Sequence, residues 1–198
     1  IANQLKGEIV NADSMQVYKE IKILSARPNN KSIKHHLYGV VSVKDNFSVG
    51  SWYKLATTKI KEINKKRKIA IVTGGTGLYF KVLVDGLTEI PDVTKIDYSN
   101  LNLTDRLMMR NHYVKKYPNI FEGININDIQ RVSRAISVYD ATGITLKDWQ
   151  KQKNKKYFNK NEFTKIYLAP PKTELENRIK KRFLDMLKKG AIEEAKKY

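Results

Sequence analysis

Aliphatic residues fall along this chain in two rhythms, short unbroken runs and runs spaced by three or four, and their alternation sets the fold class. "EIVN" (8–11) and "KIAIVT" (68–73) are unbroken runs. The second has the continuous character of a parallel strand covered on both faces. "FTKIYLAP" (163–170) also reads as a strand, stopped by Pro170 and Pro171. Helical spacing takes over between these runs. Residues 51–66 place Trp52, Leu55, Ile60 and Ile63 on one stripe and lysines on the wet face. "LYFKVLVDG" predicts a helix ending near Gly86. In 127–142, Ile129, Val132, Ile136 and Tyr139 share one face, Asn127 with Gln130 resembles a capping box, and Gly143 ends the run. A last helix is expected from Thr173 to about Lys189, with Thr173 and Glu176 as its capping box and Leu175, Ile179, Phe183 and Met186 buried. Residues 1–6 read as the end of a helix closed by Gly7, and a helix-like stretch follows Asp13 and Ser14.

Strand and helix alternate twice, a helical excursion follows, and strand and helix then return. This is the grammar of a parallel α/β sheet with an inserted helical subdomain. The expected division is an α/β core of 1–98 and 161–198 around a helical insertion of 99–160. The insertion ends in the basic loop "KQKNKKYFNK".

Composition supports a packed domain, with 41% hydrophobic residues in 198. The net charge of +18, from 38 Lys+Arg against 20 Asp+Glu, creates a field suited to a polyanion, and nucleic acid is the commonest one. Heavy use of Lys, Asn and Ile, as in an AT-rich genome, would give the same surplus, so arginine placement has to discriminate. There is no cysteine for a disulfide or thiolate metal site, no apolar run long enough for a bilayer and no signal-peptide pattern. A soluble cytoplasmic protein is expected.

Ligands of open α/β sheets collect beyond the carboxyl ends of the strands. The first such end delivers Asp13 and Ser14, the second Gly74, Gly75, Thr76 and Gly77, and the third leads to a helix with Arg178 and Arg182 one turn apart. Singly, these read equally as a helix cap, a tight turn and a solvated face. Together, a carboxylate, a phosphate-friendly loop and paired guanidinium groups suggest transfer from a phosphate-bearing donor. His35 and His36 lack a neighbouring carboxylate or cysteine at metal-ligand spacing and read as structural. The phosphate loop G-x-x-x-x-G-K-[ST] does not occur. Arg131 and Arg134 lie opposite the apolar face of their helix, near Gln130, where they offer donors to a phosphate backbone or a base edge. Tyr157 and Phe158, beside Lys155 and Lys156, offer rings for stacking on unpaired bases.

Six stretches, in order, resemble the tRNA dimethylallyltransferase family: "NADSMQVYK" (11–19), "ARPN" (26–29), "HHL" (35–37), "VTGGTGLYFK" (72–81), "NDIQRVSRAISVYDATG" (127–143) and "RIKKRFLDMLKKG" (178–190). The resemblance implies a P-loop, nucleoside-kinase-like fold whose helical insertion grips the anticodon stem-loop, and a dimethylallyl group passed from its pyrophosphate to the exocyclic amine of an adenine beside the anticodon. It implies Asp13 as general base, Thr76 as a catalytic-site threonine and Arg182 as the holder of the leaving pyrophosphate. Asp13, Ser14, Met15, Gln16 and Thr76, together with Gln130, Arg131, Val132, Ser133 and Arg134, match tRNA-contacting positions. Mg²⁺ is implied too, with its main site in a phosphate loop that would precede Ile1. "ILSARP" replaces the more usual Gly-Thr before Ala-Arg/Lys-Pro, and the chain ends at "EEAKKY", short of the family's remaining C-terminal helices. A basic residue expected after the Pro91 segment has Lys95 as its nearest match, with Tyr98 about where an arginine falls. The chain is expected to be a monomer, inactive without the phosphate loop and active within a complete protein. The alternatives are a noncatalytic RNA-binding module on the same scaffold and a prenyl transferase for free adenine nucleotides, and the basic insertion argues against the latter.

Overall fold

In a computed structural model of the chain, which describes residues 1–29, 32–91, 93, 102–117, 119–125 and 127–198, the run 8–11 becomes the central strand of a parallel sheet. β1 (Glu8–Asn11) lies between β2 (His35–His36) and β3 (Ala70–Thr73), pairing Val10 with His36 on one side and with Val72 on the other. Parallel strands need crossover connections; α1 (Val49–Lys65) lies in the one from β2 to β3, and α2 (Gly77–Asp85) follows β3. Ser48 caps α1 by accepting from the Ser51 N–H, and α1 buries Trp52, Tyr53, Ala56, Thr57, Ile60 and Ile63. Leu55, expected on that stripe, is exposed. Gly86, with φ of 82°, closes α2.

The remaining helices are α3 (Leu103–Lys116), α4 (Ile129–Thr142), α5 (Leu146–Lys151), α6 (Lys172–Lys188) and α7 (Ala191–Ala195). The chain divides into residues 1–86 with 156–198, and residues 87–155. The neck of the second unit is an antiparallel bridge, Leu87 N–H to the Lys155 carbonyl at 3.2 Å and the reverse at 3.0 Å. The division therefore falls earlier than 98 and 160, because backbone pairing, not charge, marks the boundary. The inserted unit has its own core of Ile120, Phe121, Val132, Ala135 and Ile136, against which Met109, Tyr113, Tyr117 and Tyr139 pack. Its α4 is capped by Asp128, whose carboxylate accepts from the Arg131 N–H, not by Asn127; Gly143 closes it with φ of 69°.

Several expectations from pattern alone are corrected. Residues 1–6 form turns, and Lys6, not Gly7, takes the left-handed conformation. Gly7 is needed for close approach, since a Cβ there would stand 2.8 Å from the Ile69 carbonyl oxygen. The stretch after Ser14 runs as bends with one bridge, Tyr18 to Val41, and forms no helix. Residues 163–170 form no strand, because no described strand pairs with them, and Ile166, Tyr167 and Leu168 are exposed. On α6 the Leu175, Ile179 and Phe183 stripe is exposed too, and Pro171 replaces the expected Thr173 cap. Phe158 is buried against Phe163, while Tyr157 lies against Tyr53 with the Lys61 ammonium over its ring. Both rings thus serve packing in the α/β unit, Phe158 buried and Tyr157 half-buried. Lys95 and Tyr98 lie outside the described residues.

His35 and His36 are structural, as read. The pair forms β2, and His36 Nε2 sits 2.6 Å from the carboxylate of Glu8, which is 3% exposed. Lys68 Nζ reaches the other Glu8 oxygen at 2.8 Å. The hydrogen bond from Lys68, then that from His36, holds the Glu8 carboxyl down at about 2, against the opposing cost of burial. A carboxyl whose pKa is lower folded than unfolded adds stability above its ordinary value of 4.5, and that stability fades as pH falls toward 2. Glu8→Gln is accordingly expected to lower the thermal midpoint at neutral pH, and the gap from wild type should close between pH 4.5 and 2. A pH series of melting curves measures this, and a gap constant across that window would contradict it.

Candidate active site

Asn11, the last residue of β1, is fully buried, so its amide must be satisfied internally. Its Oδ1 accepts from the Asp13 N–H at 2.9 Å, and its Nδ2 donates to the carbonyls of Asp13 at 2.9 Å and Leu37 at 3.1 Å. The Asn11 carbonyl accepts from the Trp52 indole N–H at 2.8 Å, and Trp52 stacks on Tyr79 with ring centres 4.1 Å apart. The Asn11 side chain therefore ties the backbone of Asp13 to the strand end and to the residue after β2, and the Asn11 backbone carbonyl adds, through Trp52, a link to α1 and α2.

Ladder bonds continue past the strand ends. Ala12 N–H donates to the Thr73 carbonyl at 2.8 Å and Thr76 N–H to the Ala12 carbonyl at 3.1 Å. This drives Gly74 onto the Ala12 backbone, where a Cβ would lie 2.2 Å from the Ala12 carbonyl carbon. Glycine is required at 74 for approach, which the tight-turn reading of "GGTG" did not specify. At Gly75 a Cβ would meet only Asp13 Oδ2, at 3.9 Å, and at Gly77 nothing within 4 Å, so backbone lies open beside the carboxylate.

Thr76 stands at the N-cap of α2 yet makes no side-chain cap bond. Its Oγ1 accepts from the Ser14 N–H at 2.9 Å and donates to Ser14 Oγ at 3.2 Å. The start of α2 thus keeps uncapped N–H groups, the usual seat for an anion. Asp13 Oδ1 accepts from the Met15 N–H at 2.8 Å, a local turn that orients the carboxylate. Tyr38 and Tyr79 lie close enough to feel its charge. Burial first, and Asp13 second, pushes the Tyr38 phenol up, while burial, Tyr18 and Asp13 push Tyr79 up to about 12. Both remain proton-bearing phenols at neutral pH. The Asn11 clamp and these two tyrosines were not singled out from sequence, and only the asparagine's place just before Asp13 could have signalled it.

The structure therefore brings Asp13, Ser14 and Thr76 together. Met15 projects outward at 53% exposure, and Gln16 Nε2 donates to the Ser25 carbonyl at 3.0 Å. Arg182 is exposed on α6 and makes no hydrogen bond or ion pair with Asp13, Ser14 or Thr76 among the described residues; Arg178 pairs with Glu174 one turn back. In the inserted unit, Gln130 and Arg131 are exposed, Ser133 and Arg134 are half-buried, and Val132 is buried in the core, its side chain turned from any surface. Arg131 Nε pairs with Asp128 at 3.0 Å. No group of three or more His, Asp or Glu side chains able to hold a metal ion occurs among the described residues. No described helix is long and apolar enough to cross a membrane.

The chain is similar to several known proteins. The sequence model of the family described as IPP transferase matches residues 16–198. Relatives named tRNA dimethylallyltransferase include one from Pelagibacter ubique, 42% identical over all of this chain and 65% of its own length. Another, from Parvibaculum lavamentivorans, is 37% identical over 98% of this chain and 64% of its own length. The chain thus spans about two thirds of these relatives. Among solved structures, a eukaryotic dimethylallyltransferase acting on tRNA superposes with a TM-score of 0.75 at 28% identity, over 99% of this chain and 50% of its own. A tRNA isopentenylpyrophosphate transferase from Bacillus halodurans gives 0.61 at 26% identity, over 99% and 62%. The parallel sheet and helices described above are those of an α/β fold of this P-loop type, and the chain belongs to the IPP transferase family.

Proposed function

We propose that the protein containing this chain transfers a dimethylallyl group from dimethylallyl pyrophosphate to the exocyclic amine of an adenine beside the anticodon of tRNA. The observation that carries this reading is the carboxylate of Asp13, fixed by Asn11 at the strand end, beside Ser14, Thr76 and the open backbone of Gly75 and Gly77. The bond that forms joins the amine nitrogen to the allylic carbon, and the bond that breaks is carbon to pyrophosphate oxygen. The amine gains positive charge as it attacks, and Asp13 takes the proton that must leave. Thr76 holds the backbone of Ser14, next to Asp13, and the uncapped start of α2 favours an anionic donor. Arg182 is the residue we assign to the departing pyrophosphate, where charge accumulates. The target adenine must leave its stack, which costs little in an unpaired loop.

Recognition of tRNA is assigned to Ser14, Met15 and Gln16 near the carboxylate and to Gln130, Arg131, Ser133 and Arg134 on α4. The net charge of +18 supports a polyanionic partner, and Arg131 remains 72% exposed despite its Asp128 partner. An exposed ion pair of that kind is weak and yields readily to a phosphate.

In the full-length protein, Asp13→Ala is expected to lower transfer by about a hundredfold or more while leaving tRNA affinity within about twofold. Transfer of labelled prenyl group and filter binding measure the two quantities. Equal loss of both would favour a module that binds RNA without catalysis. Arg131→Ala with Arg134→Ala should weaken tRNA binding most at low salt, and the slope of log affinity against log salt should fall by about 0.7–0.9 for each phosphate contact removed. An unchanged slope would take α4 out of the recognition of tRNA.

A further inference from the structure

The segment that follows Asp13 has neither helix nor regular strand to stiffen it, yet it carries Gln16. Its backbone is fixed from one side. Gly39 N–H donates to the Gln16 carbonyl at 2.9 Å, and Val40 and Val41 N–H both donate to the Val17 carbonyl, at 2.7 and 3.0 Å. The side chain of Gln16 depends on another element. Its Nε2 donates to the carbonyl of Ser25, and since a carbonyl can only accept, this bond also sets which way the amide oxygen faces.

Ser25 lies in a single turn, residues 21–27, held internally by Ser25 N–H to the Ile21 carbonyl at 3.3 Å and Arg27 N–H to the Lys22 carbonyl at 3.1 Å. One isolated turn is not stable on its own. Two anchors hold it. Arg27 donates to the carbonyls of Tyr18 at 3.0 Å and Lys19 at 3.3 Å, its guanidinium occupying space that Gly39 leaves open: a Cβ there would lie 1.9 Å from Nη1. The second anchor comes from the far end of the chain. Glu194, on α7, accepts from the Ile23 N–H at 2.9 and 3.0 Å with its two oxygens and from the Leu24 N–H at 2.7 Å. Bonds from backbone N–H to a carboxylate are about twice as strong as neutral ones.

We infer that Glu194 is a positioning residue for substrate recognition: by clamping the turn 21–27 it fixes the Ser25 carbonyl and, through it, the side chain of Gln16. The inference rests on the functional reading above, in which Gln16 faces the RNA. Glu193, its neighbour on α7, makes no such bond and serves as control.

In the full-length protein, with tRNA and dimethylallyl pyrophosphate as substrates, Glu194→Ala is expected to lower kcat/KM for tRNA about tenfold. The KM for dimethylallyl pyrophosphate should be unchanged, and Glu193→Ala should match wild type. Glu194→Gln, which keeps one acceptor oxygen and loses the charge, should recover part of the loss; it also carries the test should the alanine variant fail to fold. The deciding measurement is a double-mutant cycle with Gln16→Ala. If Glu194 acts through Gln16, its replacement changes kcat/KM by less than about twofold once Gln16 is gone. Wild-type transfer with losses that multiply in the double variant, or with Glu194→Ala equal to wild type, overturns this inference alone. A wild-type protein that transfers nothing overturns the functional reading instead.

Discussion

A buried amide must find partners for an oxygen and two N–H groups at once, and in Asn11 that requirement organises the structure around it. Meeting it fixes the chain turn at Asp13 and the carbonyl of Leu37, while the Asn11 backbone oxygen receives the Trp52 indole. Asn11 and Trp52 are fully buried, so the bonds they make constrain one another. Trp52 is fully buried and stacked on Tyr79, which itself senses the Asp13 charge; the circuit therefore closes on the carboxylate it supports. A site built this way keeps its geometry because displacing any member leaves a buried polar group unpaired.

Local order in the chain gave away the elements whose stability is local. α1, β3, α2 and α4 lie within a few residues of where spacing and terminal glycines put them. Asp13 and Thr76 could be chosen because strand ends are where ligands gather, and the structure joins them through Ser14. What could not be read is what depends on distant partners. Nothing near His36 in sequence announces Glu8, 28 residues earlier, and nothing near Ser25 announces Glu194, about 170 residues later.

Periodicity tells that a helix forms, not what it meets. α6 is a regular helix, yet Leu175, Ile179 and Phe183 on its expected inner stripe are about half exposed. The run 163–170 shows the same limit for strands. Its residues favour extended structure, but a strand exists only as part of a hydrogen-bonded pair. Aromatic pairs are ambiguous for a similar reason. Tyr157 and Phe158 beside lysines fit base stacking as sequence, and the fold turns them to Tyr53 and Phe163.

Two carboxylates near the ends of the same strand differ in how packing leaves them. Glu8 gives one oxygen to His36 and the other to Lys68, with the side chain sealed from solvent. It has no capacity left for a substrate proton, and its lowered pKa makes it a poor base as well. The Asp13 carboxylate accepts a single hydrogen bond among the described residues, from the Met15 N–H to Oδ1, and its Oδ2 lies toward backbone that carries no side chain at Gly75. In sequence both residues are acidic positions flanking the same aliphatic run. Only the count of partners distinguishes them. A proton acceptor has to be held firmly through its backbone while keeping a lone pair uncommitted, and of the two only Asp13 meets both conditions.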